Sequence, residues 1–336
     1  MGTSITERIV RLFNRREASL LLVLVVLVVA FTLLTSRFAT TGTLTQLLIN
    51  TAVIMMVAVG QALVMFTRNI DVSVGSMIGV TAVFASSTAS DYNFLPLPVI
   101  VLASCLVGLA LGSVNGILVA RLRVPSIMVT LGTLYVFRGL VSVLTGSNQI
   151  TSTFLPPGYT DIPLWNIAGI PGIFFYAALI VVVAHVFVER TYAGRSLLAL
   201  GSNPVAADKL GIASRKLVYG AFAVTGMLCG LAGVMWGGLY GTVDSSVGTG
   251  FEIVVLAAVV IGGVSTLGGS GSIAGVFIGS AILAVISVGL ALLNVSQFWV
   301  QALTGGVILA AVVAELVVRG RERRPLAGFS APAAAE

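Results

Sequence analysis

The chain has 336 residues, 57 % of them hydrophobic and only 9 % charged, with a mean hydropathy of +1.09; an ordinary globular domain carries about 25 % charged residues. So few charges cannot coat a soluble surface, which excludes a disordered chain, a collagen-like fibre, a disulfide scaffold and a cytosolic enzyme. The formal net charge of +6 is not a nucleic-acid footprint, because the Lys and Arg residues sit in short clusters between apolar runs, the pattern of membrane topology.

The fold class expected is therefore all-α, a polytopic integral membrane helical bundle. A helix crossing ~30 Å of hydrocarbon needs about 20 apolar residues, and about ten runs qualify: roughly 18–35, 47–67, 72–90, 95–120, 124–145, 167–188, 217–240, 251–266, 272–293 and 299–318. The first follows the basic leader MGTSITERIVRLFNRRE but no small-x-small cleavage site follows it, so it reads as an uncleaved span. The eighth, FEIVVLAAVVIGGVSTLGGSGS, is short and broken by Gly262-Gly263 and Gly268-Gly269. It reads as a tight helical hairpin into the ninth run, with a half-helix lining a substrate cavity as the alternative. The expected organisation is an N-terminal cytoplasmic tail at 1–17, a transmembrane domain at 18–318 with a cytoplasmic loop at 189–216, and a cytoplasmic tail at 319–336.

Charge position tests that assignment. If the amino terminus is cytoplasmic and every run crosses once, the cytoplasmic loops hold all the Lys and Arg residues except Arg37, which falls outside, and Arg138, which falls within a run. Such asymmetry is what the positive-inside rule expects, and it puts both termini inside. The outer loops are short and weakly acidic, with Asp91, Asp161 and Asp244. Cys105 and Cys229 lie within apolar runs and read as small packing residues.

The loop at 189–217 carries a complete short-helix signature. Ser202 or Asn203 caps it, Pro204 suits the first helical position, Val205, Ala206, Ala207, Asp208, Lys209 and Leu210 form the turns, and Gly211 ends it in the left-handed conformation. A helix this short has no core of its own. It is either an amphipathic connector on membrane lipid, helped by Arg190, Arg195, Lys209, Arg215 and Lys216, or a docking helix for a cytoplasmic partner.

Several stretches together carry a family resemblance. Residues 205–211 are similar to the Glu-Ala-Ala-x-x-x-Gly loop of ATP-binding-cassette (ABC) importer permeases, with Val205 where an acidic residue usually stands. TRNIDVSVGS at 67–76, LRVPSIMVTLGTLYVFRGL at 122–140, RSLLALGSNPVAADKLGI at 195–212 and IGGVSTLGGSGSIAG at 261–275 resemble the ribose-type sugar permeases, in the same order from about residue 45 to 318. The form at 68–76 is most similar to permeases for autoinducer-2 and, less so, rhamnose. The resemblance implies alternating access across the bacterial inner membrane, with Asn203–Gly211 coupling to cytoplasmic ATP-binding subunits that hold ATP and Mg. A second permease subunit and a periplasmic substrate-binding protein would complete the assembly. The ligand implied is a small sugar or sugar-like molecule, autoinducer-2 being the sharper expectation. A branched-chain amino-acid permease is the alternative within that fold, and an ion-coupled secondary transporter or a membrane scaffold the alternative outside it.

The residues agree with what such a chain lacks. GGSGSIAG at 268–275 has neither the lysine nor the hydroxyl of a phosphate loop. His185 is the single histidine, so no Ser–His–Asp set, metal cluster or resident cofactor is expected, and neither is catalysis. Polar residues inside spans are the candidates for a substrate pathway. Asn50, Gln61, Asn115 and Gln297 could hydrogen-bond hydroxyls or hold helices together. Trp236 and Tyr240 could stack against a sugar face or serve as interfacial aromatics, the commoner role. Arg138 either pairs with Asp244, Glu252 or a backbone carbonyl at a gate, or snorkels to the outer face.

Overall fold

The computed structural model describes residues 16–306 apart from 93, 147, 148 and 297, together with residues 309 and 313. The helices in chain order are α1 (Arg16–Leu34), α2 (Thr41–Phe66), α3 (Val74–Asp91), α4 (Leu97–Ala120), α5 (Ser126–Thr145), α6 (Asp161–Leu164), α7 (Gly172–Arg190), α8 (Tyr192–Ser202), α9 (Pro204–Lys209), α10 (Ser214–Tyr240), α11 (Phe251–Ile261) and α12 (Ile273–Leu292). Among the described residues seven of these, α1, α2, α4, α5, α7, α10 and α12, are long and apolar enough to cross a membrane. Residues 298–306 are helical; most of the tenth expected span, and the tails at 1–15 and 319–336, lie outside the described residues.

Helix α2 is apolar from Ala52 to Phe66 apart from Gln61 and buried along that whole stretch, as expected for a helix at the centre of a bundle. Around it pack α7, α10, α11 and α12. Helix α1 is at the other extreme, equally apolar but almost wholly uncovered by protein; its leucine and valine side chains are a face for lipid, which is as apolar as they are. Helix α3 matches its expected span at 18 residues but is rich in Ser, Thr, Gly and Ala. It lies inside, where Thr81 Oγ1 donates to Cys229 O (3.0 Å) on α10.

The α4–α10 pair is packed backbone to backbone. Gly108 and Gly112 of α4 face Gly226 and Gly230 of α10 so closely that a methyl group on any of the four would fall on the opposite main chain. Ser104 Oγ donates to Gly230 O (3.1 Å) across the same seam. Small residues permit this approach, and dispersion plus such bonds hold helices where no hydrophobic drive exists.

The two ends of the bundle differ. At one, β1 (Ile150–Thr151) pairs antiparallel with β4 (Thr242–Val243), and β2 (Asn166–Ile167) forms a hairpin with β3 (Ile170–Pro171). Tyr159 is fully buried there, its hydroxyl 3.4 Å from Ser86 Oγ; burial pushes this phenol up to about 12, with the Ser86 bond opposing. The other end gathers basic residues. Arg121, Arg215 and Lys216 line one depression, and α1 begins there, with Ser272 Oγ donating to Glu17 Oε1 (2.9 Å).

Candidate functional site

Two connections leave the surface and run into the bundle. After Arg68, residues 69–73 turn back along α2 as irregular chain. Gln61, with its amide oriented to satisfy both contacts, donates to Asp71 O (3.1 Å) and accepts from Asp71 N (3.3 Å). The Asp71 carboxylate, 2 % exposed, accepts from Ser73 N (2.8 Å) and Ser73 Oγ (2.6 Å) through Oδ1. Asn115 of α4 donates to Ser73 Oγ (2.8 Å) and, more weakly, to Asp71 Oδ2 (3.4 Å). Gln61 and Asn115 are thus brought together, but to supply partners for non-helical backbone, which interior polar groups must do where water is absent.

The second connection is the strap Asp244–Gly250, between β4 and α11. Gly248 lies against Gly75 and Gly79 of α3, and Arg138 from α5 donates through Nη1 to Val247 O (2.6 Å). Of the partners anticipated for Arg138, the structure supplies the backbone carbonyl. Among the described residues Arg138 has no carboxylate within ion-pair distance, the only pair of that kind being His185 with Glu189. Glu252 lies in the first turn of α11, and its Oε2 is buried without a hydrogen-bond partner.

The eighth run forms the hairpin expected of it, α11 packing against α12 across the turn at 262–272. Its helix has only 11 residues, about 16 Å at 1.5 Å each. The irregular strap precedes it, and the turn at 262–272 leads into α12. The double glycines mark that turn rather than a break in the helix.

Where the strap meets α11 a cavity of about 510 Å³ opens between α2, α10, α11, α12 and residues 298–306, within the range of small-molecule sites. Asn50, Trp236 and Tyr240 line it with Thr249, Phe251, Ser287, Gln301 and Thr304. The indole of Trp236 stands 4.9 Å from the Tyr240 ring and 5.5 Å edge-on from Phe251. No described lining side chain carries a formal charge. Of the pathway candidates, Asn50, Trp236 and Tyr240 meet here; Gln61 and Asn115 lie in the polar cluster, Arg138 holds the strap, and Gln297 lies outside the described residues. Ser287, Gln301 and Thr304 escaped notice because each is a single mild polar residue in an apolar run. The three-residue spacing of Gln301 and Thr304, one helical face, is the signal that would have found them.

At the basic end the short helix is present as expected. Asn203 Oδ1 caps it by accepting from Ala206 N (3.0 Å), Pro204 takes the first turn, and Gly211 closes it at φ +75. Ala207 faces inward at 2 % exposure, while Val205 and Leu210 project at 67 % and 77 %. Asp208 accepts from Ser214 Oγ (2.5 Å), which ties the helix to the start of α10. The preceding helix α8, capped by Thr191 Oγ1 on Gly194 N (3.0 Å), has no counterpart in the sequence reading.

Residues 43–312 match the protein family described as branched-chain amino acid transport system, permease component. Among curated proteins, the chain is 34 % identical over 325 residues to the autoinducer 2 import system permease protein LsrC of Salmonella typhi, covering 95 % of this chain and 92 % of that one. It is 35 % identical to the protein of that name from Escherichia coli strain K12, covering 95 % and 94 %, and 36 % identical to that of Escherichia coli O157:H7 over 89 % and 86 %. No solved structure matches the chain.

Proposed function

Because the chain belongs to this family of transport-system permease components, a multi-pass inner-membrane transport subunit and not a catalytic one, we propose that it passes an uncharged, hydroxylated small molecule of the autoinducer-2 or sugar type. The observation that carries the ligand class is the cavity lining. Aromatic faces from Trp236, Tyr240 and Phe251, with neutral hydrogen-bonding groups from Asn50, Thr249, Ser287, Gln301 and Thr304, suit a polar but uncharged ring. An amino acid would bring a carboxylate and an ammonium into a site whose described side chains offer no opposite charge to either, and an unpaired buried charge is strongly disfavoured. The names of the Salmonella and Escherichia relatives point to the same ligand class.

In this reading the basic end faces the cytoplasm. Val205 and Leu210 of α9 are apolar knobs presented to an ATP-binding subunit, which holds ATP and Mg. A second permease subunit completes the pathway, and a periplasmic binding protein delivers ligand to the end bearing β1 and β4. Transport proceeds by alternating access, with the irregular strap and the short helix α11 beside the cavity as the elements that rearrange. The test is ATP-driven uptake by the assembled transporter in proteoliposomes, comparing autoinducer-2, ribose and leucine. Uptake of leucine with none of either hydroxylated ligand overturns the ligand class. For the docking role, Val205→Asp combined with Leu210→Asp is expected to abolish co-purification with the ATP-binding subunit, and unchanged co-purification refutes it.

A further inference from the structure

We propose that Gly201, Gly269 and the carbonyl of Phe66 form a side-chain-free joint through which movement of α9 reaches α2, α11 and α12, three of the helices that line the cavity; this rests on the reading of α9 as the ATPase docking helix. Three main chains meet at this point. Gly269 N, in the turn between α11 and α12, donates to Phe66 O at the last residue of α2 (3.2 Å). Ser202 Oγ, the last residue of α8, donates to Gly269 O (3.1 Å). Arg68 Nε donates to Leu267 O (2.9 Å), clasping the same turn from the other side.

The fit leaves no slack. A methyl group on Gly201 would coincide with Phe66 O and Gly269 N, and one on Gly269 would overlap the Ser202 main chain. Gly269 also sits at φ +75, where a side chain is strained. Flexible side chains at a helix contact absorb small displacements by changing rotamer; main chain against main chain has no such freedom. Phe66 leads to the cavity by unbroken helix, and Gly269 leads to it through the turn at 262–272 into α11 on one side and α12 on the other. Helix α2 runs from Phe66 back to Asn50, α11 contributes Phe251 and α12 contributes Ser287. On the fourth side α8 passes through Asn203 into α9. A shift of α9 must therefore displace the inner ends of α2, α11 and α12 together or break the joint.

The experiment uses the complete transporter in proteoliposomes and reads ligand taken up per ATP hydrolysed. Gly201→Ala is expected to leave co-purification with the ATP-binding subunit intact and hydrolysis within about threefold, while uptake per ATP falls at least tenfold. Normal uptake per ATP, or uptake and hydrolysis falling in parallel, overturns the joint. If Gly201→Ala does not insert, the decisive variant is Ser202→Ala with Arg68→Gln, which removes two clasps without adding bulk. A drop of at least threefold in uptake per ATP supports the proposal and an unchanged ratio overturns it. Failure of the docking reading is separate, because it appears as retained co-purification in the Val205→Asp, Leu210→Asp variant whatever the joint variants do.

Discussion

Arg138→Met tests the reading of the strap most directly, because methionine keeps most of the length and removes the donor. The guanidinium makes a short, charge-assisted bond to Val247 O (2.6 Å), and hydrogen bonds to charged groups contribute about 1.5–3 kcal/mol. Taking about 2 kcal/mol, and a factor of ten for each 1.4 kcal/mol, the detached strap should become roughly thirtyfold more populated. Val247 is a buried reporter for detachment, since its own side chain is not part of the bond. In a chain carrying Val247→Cys and Cys105→Ser, the rate of maleimide labelling should rise by about that factor when Arg138→Met is added. Arg138→Lys, which keeps a charge but loses the planar fork, should fall between the two. Cys229 is fully buried and contributes only a slow background. A labelling rate unchanged within threefold would mean that Gly248 packing against α3, not Arg138, holds the strap, and that the arginine merely rests there.

Three further outcomes follow from the packing. Gly226→Leu inserts a side chain into the α4–α10 seam, where overpacking costs about 1–3 kcal/mol or more; the melting temperature in detergent should fall, whereas Gly132→Leu, with open space around it, should leave it unchanged. Asn115→Leu removes a donor from the Ser73 and Asp71 oxygens at about 1–3 kcal/mol for groups left unsatisfied, read as a lower melting temperature and reduced yield of inserted protein. The Tyr159 phenol is raised to about 12 from an unfolded value of about 10, so its neutral folded form contributes fully below about pH 10 and the contribution is lost as pH rises towards 12. Stability in detergent should decline over that interval, and Tyr159→Phe should flatten the decline.

Much of the fold was legible because membrane burial imposes a length and a composition that few other constraints disturb. The boundaries of α4, α5, α7, α10 and α12 fall within a few residues of the apolar runs that predicted them. The short helix at Pro204–Lys209 was legible for a different reason: its cap, its proline and its terminal glycine are each local chemistry acting within a turn of themselves. Helix α8 was missed because its signal is weak at each level. It is amphipathic and capped by a threonine, yet it begins directly after α7 and carries two glycines, so periodicity alone does not separate it from a loop. The depth of Val247 and Gly248 is not legible because nothing in GTVDSSVGTG announces it; irregular polar sequence ordinarily means surface, and only the bond from Arg138 to Val247 O and the contact of Gly248 with α3 show that these two residues lie inside.

The candidate site was half legible, and the division has a physical cause. Every polar residue in a span must find a partner, so polarity marks equally a residue that supplies a partner to backbone and one that offers itself to a ligand. Gln61 and Asn115 answer the needs of residues 69–73; Asn50, in the same helix as Gln61, answers no internal need and faces the cavity. What separates them is the chain that returns through the interior beside Gln61, and that chain is distant information for any reading of α2 by itself. The aromatic pair was more legible because Trp236 and Tyr240 are four residues apart on one helical face, so whatever one ring faces the other faces too, and Phe251 at the start of α11 closes the third side. Since that ring belongs to the first residue of α11, any displacement of α11 alters the aromatic wall of the cavity, which links the shape of the cavity to the strap that Arg138 holds.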